Sequence, residues 1–340
     1  LGSARKNLFL QGSLCVYMVR AGRFGVIVLE RDLLPPDRGV LLDLKDKRVR
    51  DYPPCKKVGL LGVPWDWSTA GDPGARHAPA AIRWELARLP SYSPSIGGLT
   101  ARPWDFGDVR VDPRDWEGSM GRIRRAAGVL FGRVEHALFL GGDHSITREI
   151  VGALLDDVDC VGILMFDAHF DLREPEGGVT SGSWLAELYR EYGGDRVKTV
   201  ILGVGEYTNP SYLAEKAERL GIDYLGSLEV YHDLEAAYRL VEKLAGYRCD
   251  AYYVTVDMDH ISEAYAPGVN SPSPIGLEPH HTLSLLAHAI PLLRPRGLDI
   301  VEVVPVKDRG GATVRLAARI ALFASEMGCR VWRLTSSSTI

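Results

Sequence analysis

Val161-Gly162-Ile163-Leu164-Met165-Phe166 runs directly into Asp167-Ala168-His169-Phe170-Asp171. An apolar run without a polar break fits a strand buried on both faces, as in a parallel sheet covered by helices. In an extended segment successive side chains alternate, so Asp167, His169 and Asp171 fall on one face and Ala168 points away. Two other stretches repeat the pattern. Residues 137–140 lead into Gly141-Gly142-Asp143-His144-Ser145, and residues 251–256 lead into Asp257-Met258-Asp259. The loops that follow the strands of a parallel sheet open on one edge. His144, Asp167, His169, Asp171, Asp257 and Asp259 can therefore converge although they are far apart in sequence.

Four aspartates gathered in one pocket repel one another and cannot all stay ionised without compensation. Two divalent cations would supply it. Carboxylate and imidazole ligands without cysteine suit manganese, and would also accept zinc, iron or cobalt. A single Asp or His at a strand end ordinarily caps a helix or decorates a loop, but six of them at three strand ends form a metal-site pattern.

Around these stretches strands and helices alternate. Strand patterns cover residues 57–63, 137–140, 161–166, 198–204, 222–225, 251–256 and 298–304. Helical patterns cover 78–89, 120–134, 145–155, 182–192, 211–220, 233–244, 282–293 and 313–327. Such alternation predicts a three-layer α/β/α architecture with a mostly parallel central sheet. We expect one catalytic domain over residues 56–340 and an N-terminal segment over 1–55. The first twenty or so residues, in which Asn7-Leu8-Phe9-Leu10-Gln11-Gly12-Ser13 resembles a protease-cleavable linker, are left out of the fold reading. The stretches 90–103 and 267–279, rich in Pro, Gly and Ser, are expected to be long loops that shape a pocket wall.

Composition narrows the partners. The 340-residue chain carries a net charge of −4 and no Lys/Arg block, which argues against nucleic acid and for a small-molecule substrate. No apolar run approaches the ~20 residues of a membrane helix. Cysteines at 15, 55, 160, 249 and 329 are too few and too scattered to suggest a disulfide framework, and their odd count leaves at least one free. A reducing cytoplasm is the setting they suggest.

The three acidic stretches resemble the ureohydrolase family, which includes arginase, agmatinase and formimidoylglutamase. The resemblance continues upstream through Gly62-Val63-Pro64-Trp65-Asp66, Asp72-Pro73-Gly74-Ala75-Arg76 and Ala78-Pro79-Ala80-Ala81-Ile82-Arg83. Downstream it includes Ala266-Pro267-Gly268 and Asp299-Ile300-Val301-Glu302-Val303, with Pro305 and Asp308. It implies an arginase-like fold, two Mn2+ per chain, and hydrolysis of a carbon–nitrogen bond in a linear amidine or guanidine by a hydroxide shared between the ions. By the same resemblance one ion would be held by His144, Asp167, Asp171 and Asp257, and the other by His169, Asp167, Asp257 and Asp259. Glu302 would orient the cationic amidinium. A homo-oligomer, trimer or hexamer, is also implied.

Within the family, Ser262 and Glu263 stand where arginases and agmatinases usually carry Asp-Pro. Val269-Asn270-Ser271-Pro272 replaces Thr-Gly-Thr-Pro, and Ser181-Gly182 replaces a His-Gly pair that contains a proton-shuttling histidine. These differences lean toward formimidoylglutamase, whereas Ser183-Trp184-Leu185 and the Asp143-His144-Ser145 motif depart from its usual pattern. Arg173, Ser181 and Asn270 are the substrate-binding candidates, with Arg173 suited to a substrate carboxylate. Asp143 is a catalytic candidate beside Glu302, either orienting the His144 imidazole or capping the next helix. Other readings are an agmatinase or another guanidino-compound hydrolase, a metal-dependent deacetylase of related architecture, and a metal-stabilised binding protein without catalysis.

Overall fold

The structure is a computed structural model that describes residues 48–174 and 178–334. Its central strands bury both faces. In β6 (Val161–Phe166), Val161, Ile163 and Met165 pack into one apolar cluster, and Leu164 and Phe166 into another on the opposite side. The remaining long strands are β1 (Pro54–Gly62), β4 (Arg102–Asp108), β5 (His136–Leu140), β7 (Val197–Val204), β9 (Ala251–Asp257) and β10 (Gly297–Val301). With the short β8 (Asp223–Gly226) they form an eight-stranded sheet in the order β4-β1-β5-β10-β9-β6-β7-β8. Every pairing within it is parallel.

Helices cover both sides, which gives three layers. On one face lie α1 (Ala78–Leu86), α6 (Ser227–His232), α7 (Leu234–Gly246), α8 (Pro279–Leu293) and α9 (Ala312–Leu334). On the other lie α2 (Trp116–Phe131), α3 (Ile146–Leu155), α4 (Trp184–Arg196) and α5 (Ser211–Arg219). None of the helices among the described residues is long and apolar enough to cross a membrane.

Several expectations need correction. The stretch taken as one loop before residue 103 contains the short hairpin β2 (Tyr92–Ser93) and β3 (Gly97–Gly98), and β4 begins at Arg102. β4 reads Arg-Pro-Trp-Asp-Phe-Gly-Asp and lies at the sheet edge, where Pro, Gly and charge are tolerated, so its sequence hides its strand character. β10 stops at Val301 rather than running to 304, because Glu302 has a left-handed φ of 60° that ends the extended run.

The expectation that the cysteines are too scattered to pair is also overturned. Cys55 is bonded to Cys329, and Cys160 to Cys249. Both pairs are remote in sequence and adjacent in the fold: the first joins β1 to α9, and the second joins the entrances of neighbouring strands β6 and β9. Cys15 lies outside the described residues, as does most of the expected N-terminal segment 1–55.

Candidate metal centre

β5, β10, β9 and β6 are consecutive in the sheet, and each ends in part of one cluster. The loop after β5 carries His144, the loop after β6 carries Asp167, His169 and Asp171, and β9 ends on Asp257 with Asp259 two residues on. Glu302 directly follows β10. The loop after β5 must pass close to the loop after β1, since the Asp143 N–H donates to the Trp65 carbonyl at 2.8 Å. A Cβ on Gly142 would lie 1.6 Å from that carbonyl oxygen, so only glycine fits there.

His144 Nδ1 stands 3.0 Å from Asp167 Oδ2, 3.0 Å from Asp171 Oδ2 and 3.1 Å from Asp257 Oδ2. His169 Nδ1 stands 3.0 Å from Asp259 Oδ2 and 3.4 Å from Asp167 Oδ1. Asp167 thus turns one oxygen toward each imidazole, as a carboxylate shared by two ions would. Asp257 offers Oδ2 toward His144, while its Oδ1 accepts from the Asp259 N–H at 2.9 Å. Asp171 and Glu302 both have left-handed backbone, with φ of 51° and 60°. Side chains larger than glycine rarely adopt it unless their surroundings enforce it.

The donor set fits cations. His144 Nδ1 and Asp167 Oδ2 are buried and have no hydrogen-bond partner among the described residues, although they face each other, so both are free to hold an ion. The tautomer is also set. Thr255 Oγ1 donates to Asp299 Oδ1 at 2.5 Å and lies 2.8 Å from His144 Nε2, so Nε2–H donates to Thr255 and Nδ1 keeps its lone pair. Asp299 is held in turn by the hydroxyls of Thr147 and Tyr253.

Electrostatics agree. Burial alone would lower the His144 pKa, yet Asp167, Asp171 and Asp257 carry it well above the usual imidazole value. Burial, followed by repulsion from Asp259 and Asp167, pushes Asp257 well above the carboxylate range. Burial, then Asp171 and Asp259, raises Asp167 to about 6. A cluster that otherwise needs protons to balance its carboxylates favours divalent cations in their place.

The remaining candidates divide. Glu302 is buried, and its Oε1 accepts the His144 N–H at 2.9 Å. Burial and then the neighbouring Asp143 raise its pKa to about 8. Asp143 does not touch the imidazole or cap α3. It accepts from the Ser68 N–H at 3.0 Å and from the Ser145 N–H and hydroxyl at 3.0 and 2.5 Å, which fixes the loop. The partner of the imidazole is Thr255, which sequence reading missed.

Ser181 Oγ accepts from the Ala70 N–H at 3.2 Å. Asn270 spends its side chain on Thr69, Asp72 and Lys307. Arg173 is exposed, and its guanidinium has no partner among the described residues. Ser271 Oγ lies 3.3 Å from His169 Nε2. Trp184, quoted above only as a departure from a family pattern, is wholly buried beside His144 and donates from Nε1 to Asp171 Oδ2 at 2.7 Å.

Carboxylates and imidazoles that meet at the carboxyl ends of adjacent parallel strands, with a further buried glutamate beside them, define a metal-dependent hydrolase centre. The chain matches the model of the arginase family over residues 56–325. It is 34% identical over 258 residues to formimidoylglutamase of Geobacillus thermodenitrificans, covering 75% of this chain and 78% of that protein. Its fold superposes on the crystal structure of formimidoylglutamase from Bacillus subtilis with a TM-score of 0.78 at 24% identity, covering 88% of this chain and 96% of that one. It also superposes on formiminoglutamase of Trypanosoma cruzi, solved with Mn2+, with a TM-score of 0.74 at 20% identity, covering 83% and 99%. The chain belongs to the arginase family, whose members hydrolyse carbon–nitrogen bonds of amidines and guanidines.

Proposed function

We propose that the chain is a binuclear manganese hydrolase of N-formimidoyl-L-glutamate, releasing formamide and L-glutamate. The observation that carries the reading is the convergence of His144, Asp167, Asp171 and Asp257 on one point and of Asp167, His169 and Asp259 on another. The likeness to formimidoylglutamases supports the substrate, and the Mn2+ in the Trypanosoma relative supports the metal. When bound, the two ions would lower the pKa of a shared water and supply the nucleophile at neutral pH.

The protein's own groups would do the rest. Glu302, buried beside the cluster, would hold the amidinium by charge-assisted hydrogen bonds, and its raised pKa is the state that a bound cation would relieve. Arg173 would meet a substrate carboxylate. Thr255 and Asp299 would keep the His144 imidazole in its ligating tautomer.

Residues 56–340 would act as one domain, in a cytoplasmic homo-oligomer. The two disulfides qualify that setting, because disulfide-rich intracellular proteins are a habit of hyperthermophiles.

The test is to load the purified protein with Mn2+ and incubate it with N-formimidoyl-L-glutamate, 4-guanidinobutanoate, arginine and agmatine, measuring formamide, urea and ammonia. Formamide from the first substrate at the highest kcat/KM is expected. Urea from a guanidine at higher kcat/KM would overturn the substrate assignment, and no product from any would overturn the hydrolase reading.

A further inference from the structure

The loop between β10 and α9 carries a cation that the family pattern does not assign. Lys307 is fixed on both sides: the Val304 N–H donates to the Gly268 carbonyl at 2.7 Å, and Asp308 accepts from the N–H groups of Thr313 and Val314 at 3.0 Å each. Its ammonium lies 2.8 Å from Asn270 Oδ1 and 2.8 Å from Asp72 Oδ2. Asn270 is held by Thr69 and the Asp72 carbonyl at 3.1 Å each, and the next residue, Ser271, reaches His169 Nε2. The ammonium is therefore linked through Asn270 and Ser271 to the outer nitrogen of the His169 imidazole, whose Nδ1 faces Asp167 and Asp259.

Its present partners leave it available. The Asp72 side chain is 78% exposed, and so exposed an ion pair is weak enough to be exchanged for another anion. Across the 68–72 loop, Ser181 is bonded to Ala70, and Arg173 packs against Gly182 with its guanidinium free of partners among the described residues. The 68–72 loop thus touches the neighbours of both cations, Asn270 beside Lys307 and Ser181 beside Arg173.

We propose that Lys307 binds a carboxylate of the substrate in place of Asp72 and, with Arg173, selects an amidine that carries two carboxylates. This rests on the reading of the chain as an amidine hydrolase. A substrate with one carboxylate engages one of the cations, and a substrate with none engages neither. Asp72 keeps the ammonium positioned until the substrate carboxylate replaces it. Asn270 acts through Lys307 and is a positioning residue.

The experiment compares Mn2+-loaded wild type, Lys307→Met and Lys307→Arg. For N-formimidoyl-L-glutamate, Lys307→Met should raise KM about ten- to hundredfold with little change in kcat, as expected for loss of one charge-assisted bond made equally in ground and transition states. Lys307→Arg should recover most of that loss. Calorimetric binding of N-carbamoyl-L-glutamate, an unreactive analogue with both carboxylates, should weaken by the same factor.

Equal KM and equal analogue affinity in wild type and Lys307→Met would overturn the role of Lys307 while leaving the hydrolase reading intact. A matching loss on formamidine, which has no carboxylate, would also overturn it, by showing a merely structural role. If wild type hydrolyses no amidine, the hydrolase reading fails, and the analogue still decides whether Lys307 binds the diacid.

Discussion

The Trp184 indole N–H reaches the Asp171 oxygen that faces His144, and it comes from a helix rather than from the metal-bearing loops. A hydrogen bond to a charged acceptor contributes about 1.5–3 kcal/mol, and loss of such an outer partner typically weakens metal binding by about 10- to 100-fold. Trp184→Phe should therefore weaken one of two Mn2+ by about that factor and leave the other nearly unchanged, read by EPR-monitored titration. Equal weakening of both, or of neither, would remove Trp184 from the site. At this scale legibility was uneven. The six candidate ligands stand in three short motifs at strand ends, where alternation alone puts them on one face. Thr255, Asp299 and Trp184 act through contacts with residues 111, 44 and 13 positions away, and nothing local marks them. Asp143 misled because adjacency to a histidine in sequence is not contact with its ring.

His136 opens β5 with its ring buried. Nδ1–H donates to the Pro295 carbonyl at 2.8 Å just before β10, and the ring lies against Gly328 of α9. Burial, with Arg296 adding to it, lowers its pKa to about 4. The sign follows. Above pH 6.5 the ring is neutral in both folded and unfolded chains and stability is intact. As pH falls from 6.5 toward 4 only the unfolded chain takes up the proton, so this group withdraws about 3 kcal/mol across that window. Urea unfolding of wild type and His136→Phe at pH 7 and pH 4.5 should show the variant losing less on acidification. An identical loss would contradict this account of His136. Elements were legible where burial is two-sided, as in β6, β7 and β9, whose apolar runs carry the sheet centre. They were hidden at the edge, in β4, and where six residues make a whole helix, in α6.

Across the whole molecule, Cys55–Cys329 closes 274 residues and Cys160–Cys249 closes 89. Closing long loops constrains the unfolded chain and typically stabilises by about 2–4 kcal/mol for each bridge. Cys160→Ser with Cys249→Ser should lower Tm by several degrees in calorimetry without reductant, and dithiothreitol should lower the wild-type Tm by more. Unchanged Tm values would show that the bridges do not form in solution. The three-layer fold was readable because strands and helices alternate regularly, whereas the cysteine pairs were not, since only the folded sheet brings their partners together. The most direct measurement on the molecule is anomalous diffraction from a crystal equilibrated with Mn2+. Two peaks about 3.5–4 Å apart are expected, one beside His144 and Asp171, the other beside His169 and Asp259, with Asp167 and Asp257 between them. A single peak, or none with these side chains turned apart, would contradict the binuclear centre.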